Sequence, residues 1–206
     1  MTEPSTAPST DETTGSRGTT TGKPAGTHLP GDGHMWFMVL GDLIIFGLYL
    51  IIYMAFRAAN PDEFLAAQQH LNVTIGVINT VVLITSSWFV AQSVLAIRAG
   101  DRAKAITLTY GGAALGVLFL MIKVYEWSSE ITRGYTNSNE FFSFYYVLTG
   151  VHLFHVLVGL IVLGVVVREL RNPRRSRPSM VEQGATYWHM VDLLWVVIFA
   201  LLYVVR

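Results

Sequence analysis

The sequence contains no cysteine among its 206 residues. This absence excludes disulfides, iron–sulfur clusters held by thiolates, c-type haem attachment and a copper pair bridged by cysteines. Charge is also scarce, because Asp, Glu, Lys and Arg make up 14% of the chain, whereas a soluble domain carries about 25%. The formal net charge is zero, so the chain lacks the basic footprint of a nucleic-acid-binding protein.

Residues 1–33 lack any long apolar run and consist mainly of Thr, Ser, Gly and Pro. Such a segment cannot bury enough apolar surface to offset the entropy lost on ordering, so we expect a disordered tail. It is not expected to be a signal peptide, because the apolar central region of such peptides is missing.

Apolar residues are abundant in the remainder, residues 34–206, and the mean hydropathy of the chain is +0.46. Five stretches have at least the roughly 20 apolar residues that a helix needs to cross a bilayer. The sequence therefore predicts an all-α, multi-pass membrane bundle of five transmembrane helices. We place these spans at 35–56, 72–97, 105–127, 141–167 and 187–205.

The distribution of lysine and arginine predicts the orientation. With five spans, the tail and the loops 98–104 and 168–186 share one side of the membrane, which the positive-inside rule assigns to the cytoplasm. The C-terminus is then outside, and Tyr203 is expected to anchor that interface. The basic residues on the first side are Arg17, Lys23, Arg98, Arg102, Lys104, Arg168, Arg171, Arg174, Arg175 and Arg177, against Arg57, Arg133 and Arg206 on the other.

Ionisable residues inside the spans are the first candidates for function, because each costs roughly 2.5–3.5 kcal/mol on the insertion scale. Asp42 in the first span lies at a depth similar to that of His189 and Asp192 in the fifth, so a contact between these helices is expected. Alternatively, Asp42 stays un-ionised. Lys123 and Glu126 lie three residues apart in the third span, where an internal ion pair or snorkelling of Lys123 would satisfy them. A proton route through these acids is a further hypothesis.

The fourth span contains His152 and His155 on one helical face. Two histidines leave a metal one or two ligands short, so a metal site would also require His189. Pairing with a carboxylate or a backbone carbonyl is the alternative.

Small and polar residues predict close helix packing. A seam spaced by sevens runs along the second span, and positions seven apart face the same neighbouring helix. The third span contains Gly112-x-x-x-Gly116, a pattern that lets helices approach closely. The seam consists of Asn72, Asn79, Ser86 and Ser93.

Motifs in all five spans resemble subunit III of the haem-copper oxidase superfamily. Residues 40–47 are similar to its helix with a membrane-buried carboxylate, although Gly-Asp stands here for Ser-Glu. Residues 79–87 resemble its Asn-Thr-x-x-Leu-x-x-Ser-Ser run, and residues 124–127 its x-x-Glu-Tyr ending. Residues 148–159 resemble Thr-Gly-x-His-x-x-His-Val-x-x-Gly, and residues 187–195 resemble Tyr-Trp-His-x-Val-Asp-x-x-Trp.

The resemblance implies a subunit without haem or copper, bound to a catalytic subunit I that carries both. Such a subunit would stabilise its partner, bind membrane lipids and support proton uptake in a bacterial plasma membrane, with Asp42 as the buried carboxylate. The chain is similar to the five-helix form of the family. The lipid cleft of the seven-helix form would therefore need another subunit for its opposite wall.

Several segments look most like NorE-type members, which accompany nitric oxide reductases, so a nitric oxide reductase is the alternative partner. Two hypotheses from other classes remain open. A haem b redox protein would use His152, His155 or His189 as axial ligands. A proton-coupled transporter would use Asp42, Glu126 and Asp192, and would be expected to show broken helices or internal repeats.

Overall fold

The computed structural model describes residues 33–135, 140–172 and 178–205 of the chain. Within these ranges the backbone forms helices and no strand. The tail predicted at 1–33 lies outside the described residues, apart from Gly33, where the first helix begins. A π-helical turn, Ala200–Val204, continues the last helix. The helices are α1 (Gly33–Ala59), α2 (Pro61–Gln68), α3 (Val73–Arg98), α4 (Arg102–Thr132), α5 (Glu140–Arg171) and α6 (Pro178–Phe199).

Five of these helices, α1 and α3 to α6, are long and apolar enough to cross a membrane. This confirms the prediction of an all-α bundle with five transmembrane helices. Helix α6, which is the fifth span, differs most from its predicted bounds, because it begins at Pro178 rather than at 187. Its first turns are polar and lie at one end of the bundle, where Glu182 forms an ion pair of 2.9 Å with Arg98 of α3. A search for apolar residues alone passes over such turns.

Local sequence signals set the helix ends. Asn72 caps α3 by accepting hydrogen bonds from the backbone N–H groups of Thr74 and Ile75, which replaces part of the missing helical pairing. Asn72 therefore lies outside the helix and is not part of the predicted packing seam. Between α3 and α4, Gly100 adopts a φ of 82°, a left-handed conformation that glycine allows at helix C-termini.

The short helix α2 was not predicted, because eight residues with two acids cannot span a membrane. Its Phe64 is buried, and the side-chain amide of Gln68 donates to the backbone oxygens of Leu202 (3.0 Å) and Val205 (2.9 Å). Helix α2 thus covers the C-terminal end of the last span and satisfies carbonyls that a helix end leaves unpaired.

Helices α3, α4, α5 and α6 pack as a four-helix bundle, and α1 lies on its outside against α5 and α6. We call the end with the turn between α3 and α4 the basic end, because Arg98, Arg102, Lys104, Arg168 and Arg171 lie there. The opposite end, which carries α2, is called the α2 end. Successive spans run in alternating directions between these two ends.

Glycines determine how closely the four helices approach. The indole of Trp188 in α6 lies between two of them, since a Cβ on Gly116 of α4 or on Gly159 of α5 would lie 2.7 Å from its ring. A Cβ on Gly112 would lie 2.7 Å from Val90 of α3. Larger residues at these positions would force the helices apart, as expected where small residues allow close packing.

Polar side chains within the helix bundle

A cluster of four polar residues, Lys123, Glu126, Tyr145 and Tyr203, is buried near the α2 end; we call it the Lys123 cluster. The three N–H donors of the Lys123 ammonium match three acceptors: Glu126 Oε2 at 2.9 Å, Tyr145 Oη at 3.0 Å and Tyr203 Oη at 2.7 Å. The Tyr203 hydroxyl in turn donates to Glu126 Oε1 at 2.6 Å. Every member is at most 1% exposed. The cluster therefore satisfies an otherwise costly buried charge from within the chain.

Of the two alternatives for Lys123, an ion pair with Glu126 or snorkelling, the structure contains the ion pair, at 2.9 Å. The sequence did not predict the two tyrosines, which come from α5 and α6. Tyr203 was expected at the membrane interface as an aromatic anchor, but it points inward and is 1% exposed. Tyr203 lies in the π-helical turn Ala200–Val204, and its hydroxyl reaches the ammonium of Lys123 on α4.

Glu130 was not among the sequence candidates, although its side chain is 2% exposed. Its Oε1 lies 3.3 Å from Arg133 Nη1, while Oε2 has no hydrogen-bond partner among the described residues. Glu130 lies one turn beyond Glu126 on α4 and is therefore a second buried carboxyl between the Lys123 cluster and the α2 end. Its position four residues after Glu126 was the only feature of the sequence that could have identified it.

Asp42 of α1 lies beside His155 of α5, with 3.6 Å between Oδ2 and Nε2. The other ring nitrogen of His155, Nδ1, lies 2.8 Å from the backbone oxygen of Val151, which favours a proton on Nδ1 and leaves Nε2 to face the carboxyl. Phe46 packs edge-on against the imidazole. Both side chains are partly accessible, 22% for Asp42 and 15% for His155. The pair is therefore open to the outer surface of the bundle, unlike the Lys123 cluster.

The expected contact of Asp42 with His189 and Asp192 is not formed. Asp42 faces α5, whereas the hydroxyl of Ser87 in α3 lies 2.5 Å from His189 Nδ1. The sequence does not determine the rotation of a helix about its axis. Tyr187 of α6 contacts Gly159 of α5. Because a step of two residues turns a helix by about 200°, His189 points to the opposite side of α6, where it meets Ser87 of α3.

Asp192 lies near the middle of α6 and is 6% exposed. Neither carboxyl oxygen has a hydrogen-bond partner among the described residues. The Ser87 hydroxyl is close enough to interact with this carboxyl and also contacts His189 Nδ1, so the group to which it donates its single hydrogen depends on the imidazole tautomer. These three residues line an open groove of about 380 Å³, which we call the α3–α6 groove; its other walls are Ile84, Trp88, Ala91, Leu193 and Val196.

The two histidines of α5 do not face one point. His152 is fully buried between Phe119 and Trp195, with ring centroids 5.7 Å and 5.1 Å away, whereas His155 faces α1. His189 faces α3. Within the described part of the chain, no group of three His, Cys, Asp or Glu side chains is arranged to hold a metal ion.

The packing seam of α3 lies in the bundle interior. Asn79, Ser86 and Ser93 are each at most 1% exposed. Ser86 links three helices, because its hydroxyl donates to the Gly112 oxygen of α4 (2.8 Å) and accepts from Trp188 Nε1 of α6 (3.1 Å). Ser93 bonds only its own helix, at Val90 O, and the Asn79 amide has no partner among the described residues.

Comparison with known proteins adds the family context to this geometry. Residues 32–205 match the family described as cytochrome c oxidase subunit III. The chain is 34% identical over 196 residues to a cytochrome c oxidase subunit 3 of Synechocystis sp., covering 86% of this chain and 82% of the relative. It is 32% identical over 182 residues to the protein of that name from Thermostichus vulcanus, covering 83% and 89%.

A third relative is longer. The heme-copper oxidase subunit I+III of Aeropyrum pernix is 26% identical over 181 residues, which cover 83% of this chain and 22% of the relative. None of these three names mentions nitric oxide reductase, so the NorE-type alternative is not supported.

Proposed function

Because the chain belongs to the cytochrome c oxidase subunit III family, we propose that it is the non-catalytic subunit III of a haem-copper respiratory oxidase. In this role it binds the catalytic subunit I within the membrane, stabilises it and supports its proton uptake. Haem and copper belong to subunit I in this proposal. The match of residues 32–205 to the family carries the proposal.

The relative from Aeropyrum supports the choice of partner. Its name describes subunits I and III as one chain, and this chain matches only about a fifth of its length. A subunit I and a subunit III encoded together are neighbours by covalent linkage, so the separate chain here is expected to bind an equivalent subunit I.

The partly accessible pair of Asp42 and His155 is the proposed contribution to proton uptake. A carboxyl and an imidazole 3.6 Å apart can share and pass a proton with a small movement. The Lys123 cluster is less suited, because every member is buried and held by the others. It is proposed as a structural element that keeps α4, α5 and α6 in register.

The proposed orientation places the basic end in the cytoplasm of a bacterial cell, as the positive-inside rule requires. Among the described basic residues, five lie at the basic end, Arg57 and Arg133 lie at the α2 end, and Lys123 is buried within the bundle. This excess at the basic end supports the orientation. The partly accessible Asp42 of α1 then lies nearer the cytoplasmic side, from which protons are taken up.

Purification of the chain with its partners in a mild detergent tests the function. An affinity tag is attached at the N-terminus, ahead of α1. We expect a haem signal in the reduced-minus-oxidised difference spectrum and oxygen consumption in the purified fraction. Recovery of the intact chain without haem would contradict the proposal. A tagged, unrelated membrane protein of similar size controls for haem carried over by detergent.

A further inference from the structure

Resting on this proposed function, we infer that the α3–α6 groove is the seat of a transmembrane helix of the partner subunit, which presents a hydrogen-bonding side chain to Asp192. The groove combines apolar walls with a carboxyl that the rest of the described chain leaves without a hydrogen-bond partner.

The position of Asp192 limits what can satisfy it. It lies near the middle of α6, and Ser87 lies near the middle of α3, so both are far from either membrane surface. Lipids offer only hydrocarbon at this depth, whereas an unpaired polar group there costs several kcal/mol in hydrocarbon. A side chain on a second helix can bring a hydrogen bond to the centre of the membrane.

The apolar rim of the groove suits a helix. Ile84, Trp88 and Leu193 are 52%, 57% and 57% exposed, although each lies beside buried residues of α3 or α6. The His189 imidazole, whose Nδ1 is engaged by Ser87, has a second nitrogen free to orient toward an incoming group. The groove thus combines hydrogen-bonding side chains with apolar walls, and a transmembrane helix with one polar residue among apolar ones could contact both.

Asp192→Leu separates this role from a structural one. It removes a buried carboxyl that has no hydrogen bond within the described chain, so the full chain purified alone should be at least as stable to heat as the wild type. Binding to the partner should weaken by roughly five- to thirtyfold, the effect of one lost interhelical hydrogen bond in a membrane. Haem recovered per tagged chain measures this loss. Asp192→Asn, which keeps the shape and polarity of the side chain, should retain most of the binding to the partner.

Site-directed cross-linking then locates the partner. Because the chain has no cysteine, a single Leu193→Cys carries a benzophenone maleimide at the groove. Met121→Cys on α4 is the matched control, since the two positions are 57% and 58% exposed. In the purified complex, Leu193→Cys should give a cross-link to the haem-bearing chain after illumination, and Met121→Cys should give much less.

The outcomes are distinct. A complex that contains haem but cross-links from Met121→Cys and not from Leu193→Cys overturns the inference and leaves the proposed function intact. Cross-links from Leu193→Cys only to lipid, or only to a second copy of this chain, overturn it as well, as does normal haem recovery with Asp192→Leu. A wild-type purification that recovers the chain without haem rejects the proposed function, and the inference with it.

Discussion

The inner and outer faces of α6 contrast in how their polar groups are satisfied. On the inner face, Trp188 bonds Ser86, and Tyr203 bonds both Lys123 and Glu126. On the outer face, Asp192 has no hydrogen-bond partner among the described residues. The inner face therefore links the helices of this subunit, whereas the outer face presents the carboxyl that we assign to a helix of the partner subunit.

The largest expected loss of stability follows from breaking the Lys123 cluster, which the inner face of the last span contacts through Tyr203. Lys123→Met leaves Glu126 as an unpaired buried charge, and breaking one partner of a buried pair typically costs about 3–5 kcal/mol. We expect low recovery and a clearly lower unfolding temperature in detergent. Lys123→Met combined with Glu126→Gln removes both charges and should regain most of the stability. A double variant as unstable as the single one would show that the cluster does more than pair charge.

A smaller effect is expected from Gly159→Ala. The new Cβ would lie 2.7 Å from the Trp188 ring, and overpacking of this kind costs roughly 1–3 kcal/mol. Thermal unfolding followed by tryptophan fluorescence measures the loss. Gly164→Ala on the same helix is the control, because nothing lies within 4 Å of its Cβ. Equal unfolding temperatures for the two variants would contradict the tight packing of α5 and α6 around Trp188.

Ser86→Ala should cost less again, about 1–2 kcal/mol, since it leaves the buried Trp188 N–H without an acceptor. Ser93→Ala is the control. Ser93 is buried on the same helix, but its substitution removes only a hydrogen bond to Val90 O of that helix. We therefore expect a smaller drop in unfolding temperature for Ser93→Ala. The reverse order would mean that the link between α3, α4 and α6 contributes little to stability.

Asp42→Asn tests the outer surface and should have the smallest effect on stability, within about 0.5 kcal/mol, as for a partly exposed position. Turnover of the complex should nevertheless fall, or decay faster over many cycles, if the Asp42–His155 pair supplies protons. Oxygen consumption over time measures both. Gly47→Ala on the same helix, whose Cβ meets nothing within 4 Å, controls for unspecific change. Unchanged turnover would leave Asp42 with a packing role alone.

Sequence reasoning succeeded where the relevant residues lie on one helix. Lys123 and Glu126 are three residues apart, so their pairing follows from helical geometry. It failed for Tyr145 and Tyr203, which reach the same ammonium from α5 and α6. No spacing along the chain relates those positions, because their distance depends on how three helices pack.

The placement of Asp42 shows the same limit. Its depth in the membrane could be counted along α1, but its partner His155 could not be identified, since that depends on which side of α6 receives α1. Helix α2 was missed for a different reason. Its eight residues carry no membrane-span signal, and its Gln68 becomes meaningful only beside the carbonyls of the last helix.

The sequence by itself determined that this chain crosses the membrane with five helices, because hydrocarbon requires each spanning segment to be apolar and to satisfy its own backbone hydrogen bonds. It also carried the family motifs. Only the tertiary structure decided which polar groups are closed within the chain and which remain open. The reason is physical: the rotation of a helix about its axis depends on its contacts with neighbouring helices, such as those of Trp188 with Gly116 and Gly159. In the last span this rotation leaves Asp192 at the α3–α6 groove, while the Tyr203 hydroxyl bonds Glu126 inside the bundle.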